Sequence, residues 1–384
     1  MASAPSAYLD NNATTPLCPE AREAMLPLLG DGFGNPSSLH AAGLRAKAAL
    51  AQARARVAAL VGAQPSEVVF TSGGTEADSL AILGALEAAG ERRRVVTTAV
   101  EHPAVRDLLR ALRERGRVEL REIGVAPDGT LDAERVAAAV DGETALVSVM
   151  WANNETGLLH PVEAIARACR EKGVPLHLDA VQAAGKVPVD LGRVPADLLS
   201  ISAHKIHGPP GVGALVVRRG ARWKPGLAGG RQEGGRRGGT ENLPGIAGFG
   251  AAAEAARREL PAEPRVRALR DRFESIVLDG VPGARRSSAA EPRTPNTSNL
   301  LLPGAEGESI VLRLDARGIA VSTGSACTAG STEPSHVLVA MGIPARDARG
   351  AIRVSLSRYT TEEEVERAAR AVVEESTPTR RSRS

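Results

Sequence analysis

With 384 residues, the chain is long enough for a large hydrophobic core and a smaller second unit, and two lobes imply a cleft between them. Its net charge of +3 is scattered and its aromatic content is only 2%, which excludes the basic stripe and stacking platform of a nucleic-acid binder. The start MASAPSAYLD has no basic and apolar leader pattern, no apolar run nears the roughly 20 residues that cross a bilayer, and Cys18, Cys169 and Cys327 include no CxxC. The expectation is a cytoplasmic protein with no membrane segment, disulfide scaffold or metal centre.

From about Gly43 to Leu215, short runs of Val, Leu and Ile alternate with longer Ala-, Leu- and Arg-rich stretches at helical spacing. This pattern predicts an α/β fold with a mainly parallel sheet. Strands are expected at 67–70, 94–98, 145–150, 175–179, 197–202 and 212–217. Ligands of such sheets sit beyond the carboxyl ends of the strands, so Thr75, His102, Asn154, Asp179, Gln182 and Lys205 are expected to meet in one crevice. GPPGVG at 208–213 leads into a strand and reads as a tight turn. The glycine-rich stretch Leu227 to Gly239 is expected to be a mobile functional loop. A helical run at 244–259 is followed by a Pro- and Glu-bearing break near 261–264, where an α+β unit begins. There, helices are expected at 265–278, 307–317, 334–341 and 361–374, with strands at 298–302, 319–322 and 352–356. The closing STPTRRSRS has nothing to bury and is expected to be disordered.

Only five of the 48 Lys and Arg residues are lysine, and Lys205 follows an apolar run in SISAHKIHGPP. A chain that writes Arg for most cations keeps Lys where chemistry needs an amine, because guanidinium neither deprotonates nor forms a Schiff base. A surface lysine after a strand is the plainer alternative. TSGGTEAD at 71–78 joins a strand to a helix and offers free amides to a phosphate, or else is an ordinary cap. Asp179 ends a strand, where a buried carboxylate needs a cation such as a protonated pyridine nitrogen, unless it caps the next segment. His102 precedes a proline that starts a helix and can face the same crevice. His204 and His207 flank Lys205 without a Cys or carboxylate at ligand spacing, which argues against a metal. Cys327 lies among small residues in STGSACTAGS, where a thiol is accessible; Cys169 reads as core and Cys18 as a loop residue. Arg353 starts a strand and can hold a substrate carboxylate or pair with a local Glu.

YLDNNATT (8–15), GNPSSLH (34–40), TSGGTEAD, EHPA, WANNETG (151–157), HLDAVQ (177–182), SAHKIHGP (202–209), RRGGTEN (236–242), SACT and IRVSLSRYTTEEE follow one another in an order and spacing that resembles cysteine desulfurases of the nitrogen-fixation and iron-sulfur-cluster type. These are pyridoxal-phosphate enzymes of the aspartate aminotransferase fold. The resemblance, from Tyr8 to about Val365, implies a large cofactor domain at 14–258 and a small domain made of 1–13 and 259–376 that carries the Cys327 loop. It implies that Lys205 forms the Schiff base and moves protons, Asp179 keeps the pyridine nitrogen protonated, Gln182 hydrogen-bonds the phenolic oxygen and His102 stacks on the ring. Gly74, Thr75, Ser202 and His204 would hold the phosphate, together with the residue matching Thr240 from the second subunit of a homodimer. Asn154 and Arg353 would bind the carboxylate of L-cysteine, and Cys327 would take its sulfur as a persulfide, leaving alanine. The long stretch between Cys327 and Arg353 matches the branch that passes sulfur to an acceptor or scaffold protein for iron-sulfur assembly.

The chain departs from the family pattern at Pro210, Arg231, Gly234 and Gly238, of which the last three lie near Thr240 rather than near the carbon chemistry. Two other readings remain at this stage: a selenocysteine lyase, in which Cys327 would be dispensable, and a catalytically silent docking subunit, which would bind no cofactor.

Overall fold

The computed structural model describes residues 6–324 and 333–376. In chain order its strands are β1 (Ala7–Tyr8), β2 (Val68–Thr71), β3 (Arg94–Thr98), β4 (Glu119–Ile123), β5 (Thr144–Met150), β6 (Leu176–Asp179), β7 (Leu198–Ser202), β8 (Gly213–Val217), β9 (Arg285–Arg286), β10 (Thr297–Leu301), β11 (Ile319–Ala320), β12 (Ser322–Thr323) and β13 (Ala351–Ser355). Seven of them form one sheet in the order β2-β8-β7-β6-β5-β3-β4. All pairs are parallel except those of β8 with β2 and β7. The central strands are apolar on both faces because helices cover both; every residue of β5, TALVSVM, is buried.

On one face, helices Ala41–Leu60 and Leu243–Glu259 pack with the sheet through Ala53, Val57, Phe70, Phe249 and Leu178. The two helices approach so closely that a Cβ on Gly250 would lie 2.6 Å from Ala53 Cα. The other face carries Gly74–Ala88 and Pro103–Glu114, packed through Ala77, Ala81, Val105 and Leu109. A second core gathers around the antiparallel sheet β12-β13-β10-β9. It joins Phe273 and Val277 of helix Glu263–Gly280 to Leu300, Val354 and Val365, and takes in Ala7 and Leu9 from the other end of the chain. β1 pairs with β11 in parallel, so Ala7 and Leu9 share that core with Ile319, Val321, Ile352 and Val354.

Four expectations are corrected. β4 was not foreseen: its sequence, ELREI, is polar because it is an edge strand paired only with β3, and Arg94 donates to Glu119 across that pair. The break near 261–264 is no loop; a 3-10 turn, Leu260–Ala262, runs straight into helix Glu263–Gly280, with its prolines in first turns where they displace no hydrogen bond. The run at 319–322 divides between two sheets as β11 and β12.

The stretch Leu227 to Gly239 is anchored. Glu233, buried, accepts from Arg54 Nη1 and Nη2 at 2.7 Å each and from Phe70 N at 2.9 Å. Arg236 donates to Ser66 O and Val68 O, and Arg237 donates to both carboxylate oxygens of Glu76. Its charged side chains tie down a backbone that its glycines would otherwise leave loose. Among the described residues, no helix is long and apolar enough to cross a membrane; the tail 377–384 lies outside them.

Candidate active site

The carboxyl ends of the parallel strands open on a cleft of about 300 Å³ lined by Asn12, Gly74, Thr75, Asp78, His102, Asn154, Asp179, Gln182, Ser202, His204, Lys205 and Arg353. One wall is the start of helix Gly74–Ala88. A Cβ on Gly74 would lie 3.0 Å from Val181 Cγ2 and 3.6 Å from Ser202 Cβ, so glycine lets the helix start come close to the end of β7. The first amides of a helix have no partners within it and carry the positive end of its dipole. Ser202 Oγ, buried at the end of β7, has no hydrogen-bond partner. His204 Nδ1 lies 3.1 Å from Thr14 Oγ1. Burial, and then the charges of Lys205 and Lys186, push its pKa down to about 4, so the ring is neutral near pH 7.

Asp179 ends β6 and accepts from Val181 N at 2.9 Å. Burial, reinforced by the nearby Asp78 carboxyl, raises its pKa to about 7. Such a carboxyl is set to meet a cation. Asp78 is itself pushed up to about 7 by burial, and its Oδ1 has no hydrogen-bond partner, lying 3.5 Å from His177 Nε2. His102 caps helix Pro103–Glu114, with Nδ1 accepting from Ala104 N at 3.1 Å. Burial, then the charge of Lys205, lowers its pKa to about 4. The cap and the lowered pKa together present a neutral aromatic ring to the cleft.

Lys205 follows β7 in the 3-10 turn Ala203–Lys205, and its Nζ donates to Asn12 O at 2.5 Å and Ala13 O at 2.6 Å. Gln182 Nε2 donates to the same Asn12 carbonyl at 2.9 Å. The Asn12 side chain donates to Asn154 O at 3.1 Å and Thr297 Oγ1 at 2.9 Å, and the backbone N of Asn12 donates to Ser355 Oγ at 2.9 Å. A residue from the start of the chain therefore links the lysine, the glutamine and the opposite wall.

That wall is Arg353, which sits within β13 rather than at its start and is 1% exposed. Nη2 donates to Asp10 Oδ1 at 2.8 Å and Nη1 to Asn154 O at 3.2 Å, while Nε has no hydrogen-bond partner. The alternative of a local Glu gives way to an Asp 343 positions distant. Cys327 lies outside the described residues. The chain enters its segment from β12, whose Ser322 pairs with Arg353, and Ser335 beyond it donates to Glu155, beside Asn154. Thr240 is exposed and does not line the cleft. Cys18, expected in a loop, is buried at the N-cap of helix Pro19–Leu29; Cys169 is core, as expected.

The cleft thus offers a ligand an amine, a buried carboxyl, a neutral ring, an orphan hydroxyl beside a helix start, and a guanidinium. Reading motifs by type found most of these. It passed over Asn12, Asp10, Asp78 and Lys186, although the scarcity of lysine that singles out Lys205 applies equally to Lys186.

The model of the family described as aminotransferase class-V matches residues 7–368. A curated relative from Azotobacter vinelandii, cysteine desulfurase NifS, is 51% identical over 95% of this chain and 91% of its own. A solved NifS-like protein superposes with a TM-score of 0.89 at 38% identity, covering 96% of this chain and 98% of the other. A structure described as SspA in complex with cysteine gives 0.81 at 34%, over 93% and 100%. The chain therefore belongs to the class-V aminotransferase family, in its cysteine desulfurase group.

Proposed function

We propose that the chain is a pyridoxal-phosphate-dependent cysteine desulfurase, converting L-cysteine to L-alanine and leaving the sulfur on Cys327 as a persulfide for an acceptor or scaffold protein of iron-sulfur assembly or another thiolation route. The observation that carries this reading is the meeting of Lys205 Nζ, the Asp179 carboxyl and the Arg353 guanidinium in one cleft. Pyridoxal phosphate suits the groups present. A protonated ring nitrogen is the cation that the burial of Asp179 calls for, and the phosphate fits the Gly74 and Thr75 helix start, where Ser202 Oγ lacks a partner. The relatives' name and the complex of SspA with cysteine support the substrate.

Bound there, the cofactor supplies an electron sink that makes the Cα proton of the substrate removable. Lys205 Nζ would hold the cofactor's aldehyde and would be the group placed to carry the substrate Cα proton. Asp179 would keep the ring nitrogen charged, Gln182 would donate to the phenolic oxygen and the neutral ring of His102 would hold the cofactor ring. Arg353 and Asn154 orient the substrate carboxylate, with the free Nε of Arg353 available to it. Cys327 attacks the substrate sulfur as thiolate: the Cβ–S bond breaks, an S–S bond forms, and a proton delivered to Cβ completes alanine. Cysteine plus the thiol thereby balances alanine plus the persulfide.

The cofactor unit of this reading is 14–258, and the unit bearing Cys327 is 1–13 with 259–376. A homodimer completes the site in this reading, which is supported by an exposed Thr240 that does not line its own cleft and by Leu26, Leu29, Phe33, Leu39 and Leu44, exposed on one stretch of chain. Free, buried Cys18 and Cys169 accord with a reducing cytoplasm.

The test measures alanine and sulfide released from L-cysteine with pyridoxal phosphate and a thiol reductant. Wild type should turn over, Lys205→Ala should lose both products and the visible absorbance, and Cys327→Ala should keep the absorbance and release no sulfide. Wild type that binds the cofactor but leaves cysteine intact would overturn the substrate.

A further inference from the structure

Lys186 lies one turn after Gln182 and borders a second, small cavity of about 60 Å³ that shares Lys205 with the active cleft. Its Nζ donates to Asn12 Oδ1 at 2.9 Å and to Gln182 Oε1. Neither acceptor is a carboxylate. Both amides can take only one orientation in this network. Asn12 Nδ2 faces the Asn154 carbonyl, an acceptor, so Oδ1 turns to Lys186; Gln182 Nε2 faces the Asn12 carbonyl, so Oε1 turns to Lys186. Asn296 Nδ2 adds a second donor to Asn12 Oδ1 at 3.0 Å.

We infer that Lys186 is a positioning residue for the reaction: by holding these two side-chain oxygens it makes Gln182 present its N–H hydrogens, and Asn12 its backbone carbonyl, to the cofactor and to Lys205. Lys186 does not line the active cleft and acts through these two neighbours. Burial, and then the charges of Lys205 and Arg353, hold its amine well below the ordinary lysine range. The arrangement survives loss of that charge, since a neutral amine still has two hydrogens for two oxygens. Arginine, the usual cation of this chain, would carry a guanidinium too wide to converge on both oxygens from the same stem.

The inference rests on the pyridoxal-phosphate reading above. A donor turned toward the ring oxygen favours its ionised form; without it, that oxygen keeps its proton to higher pH. In the full-length holoenzyme, Lys186→Met should raise the pH midpoint of the visible absorbance by about one unit and weaken pyridoxal phosphate binding about tenfold, the scale of one hydrogen bond to a charged group. Lys186→Arg should recover part of both. In a Gln182→Ala background, Lys186→Met should add little to the midpoint shift. A wild-type midpoint and cofactor affinity in Lys186→Met would overturn the inference whatever the melting temperature does, and so would full additivity with Gln182→Ala. If Lys186→Met does not fold, Lys186→Gln is read by the same criteria. Wild type that takes up no pyridoxal phosphate would instead sink the cofactor assignment, and this inference with it.

Discussion

The Asp179 carboxyl titrates near 3.9 in an unfolded chain and near about 7 in the fold, chiefly through burial. The folded state therefore binds this proton more tightly than the unfolded one. Its contribution to stability is complete below about pH 4 and is lost as pH rises through about 7. Asp179→Asn escapes that loss, so the melting temperature of the cofactor-free variant should gain on cofactor-free wild type from pH 5 to pH 8. Saturating pyridoxal phosphate should reverse the order, because only the carboxylate can pair with a ring cation. A difference in melting temperature that stays flat with pH would show that the buried carboxyl does not titrate as described. At this scale the sequence was legible wherever a residue type carried its own chemistry, as for Lys205, Asp179, His102 and Arg353. Asn12 and Lys186 were not, because an amide or amine that works through neighbours acquires its meaning only from atoms up to 343 positions away.

Among elements, the anchored stretch 227–239 has the most direct test. Removing one partner of a buried ion pair costs about 3–5 kcal/mol, mainly by stranding the other charge. Glu233→Ala leaves Arg54 without its bidentate partner and Phe70 N without its acceptor. Urea denaturation should show a loss of that size, and limited proteolysis should cut the variant within 227–239 while sparing wild type. Equal cleavage of the two would return this stretch to a loose loop. The apolar strands and amphipathic helices were read nearly to their ends, since their burial follows from periodicity. Two of the misread elements, β4 and the glycine-rich stretch, are held by charge. The ion pairs of β4 and of the glycine-rich stretch join residues 25 and 179 positions apart, a distance over which no local pattern extends.

For the whole molecule, the sequence conveyed the α/β architecture through its alternation of runs, and the family through the order of its motifs. That both ends of the chain belong to one unit came only through the resemblance, since no local pattern joins Ala7 and Leu9 to residues more than 250 positions away. The exposed apolar stretch from Leu26 to Leu44 also lacked periodic support, because its residues lie on a helix, a loop and a second helix. If that stretch joins two copies, Phe33→Asp should shift sedimentation from dimer to monomer and weaken cofactor retention, since Thr240 would then serve no neighbouring site. A variant that stays dimeric would place the interface elsewhere. The pairing of β1 with β11 and the bond from Asn12 N to Ser355 Oγ, 343 residues on, also impose a timetable. A ribosome adding about 5–20 residues per second makes the start of the chain wait roughly 20–70 s for its partner to be synthesised. Every residue of the large sheet has by then been translated, so that sheet can form before the second core closes on the start of the chain. Arg353, on β13, is the last of the cleft residues to be translated, so the wall that carries its guanidinium is completed only when the end of the chain folds back on its start.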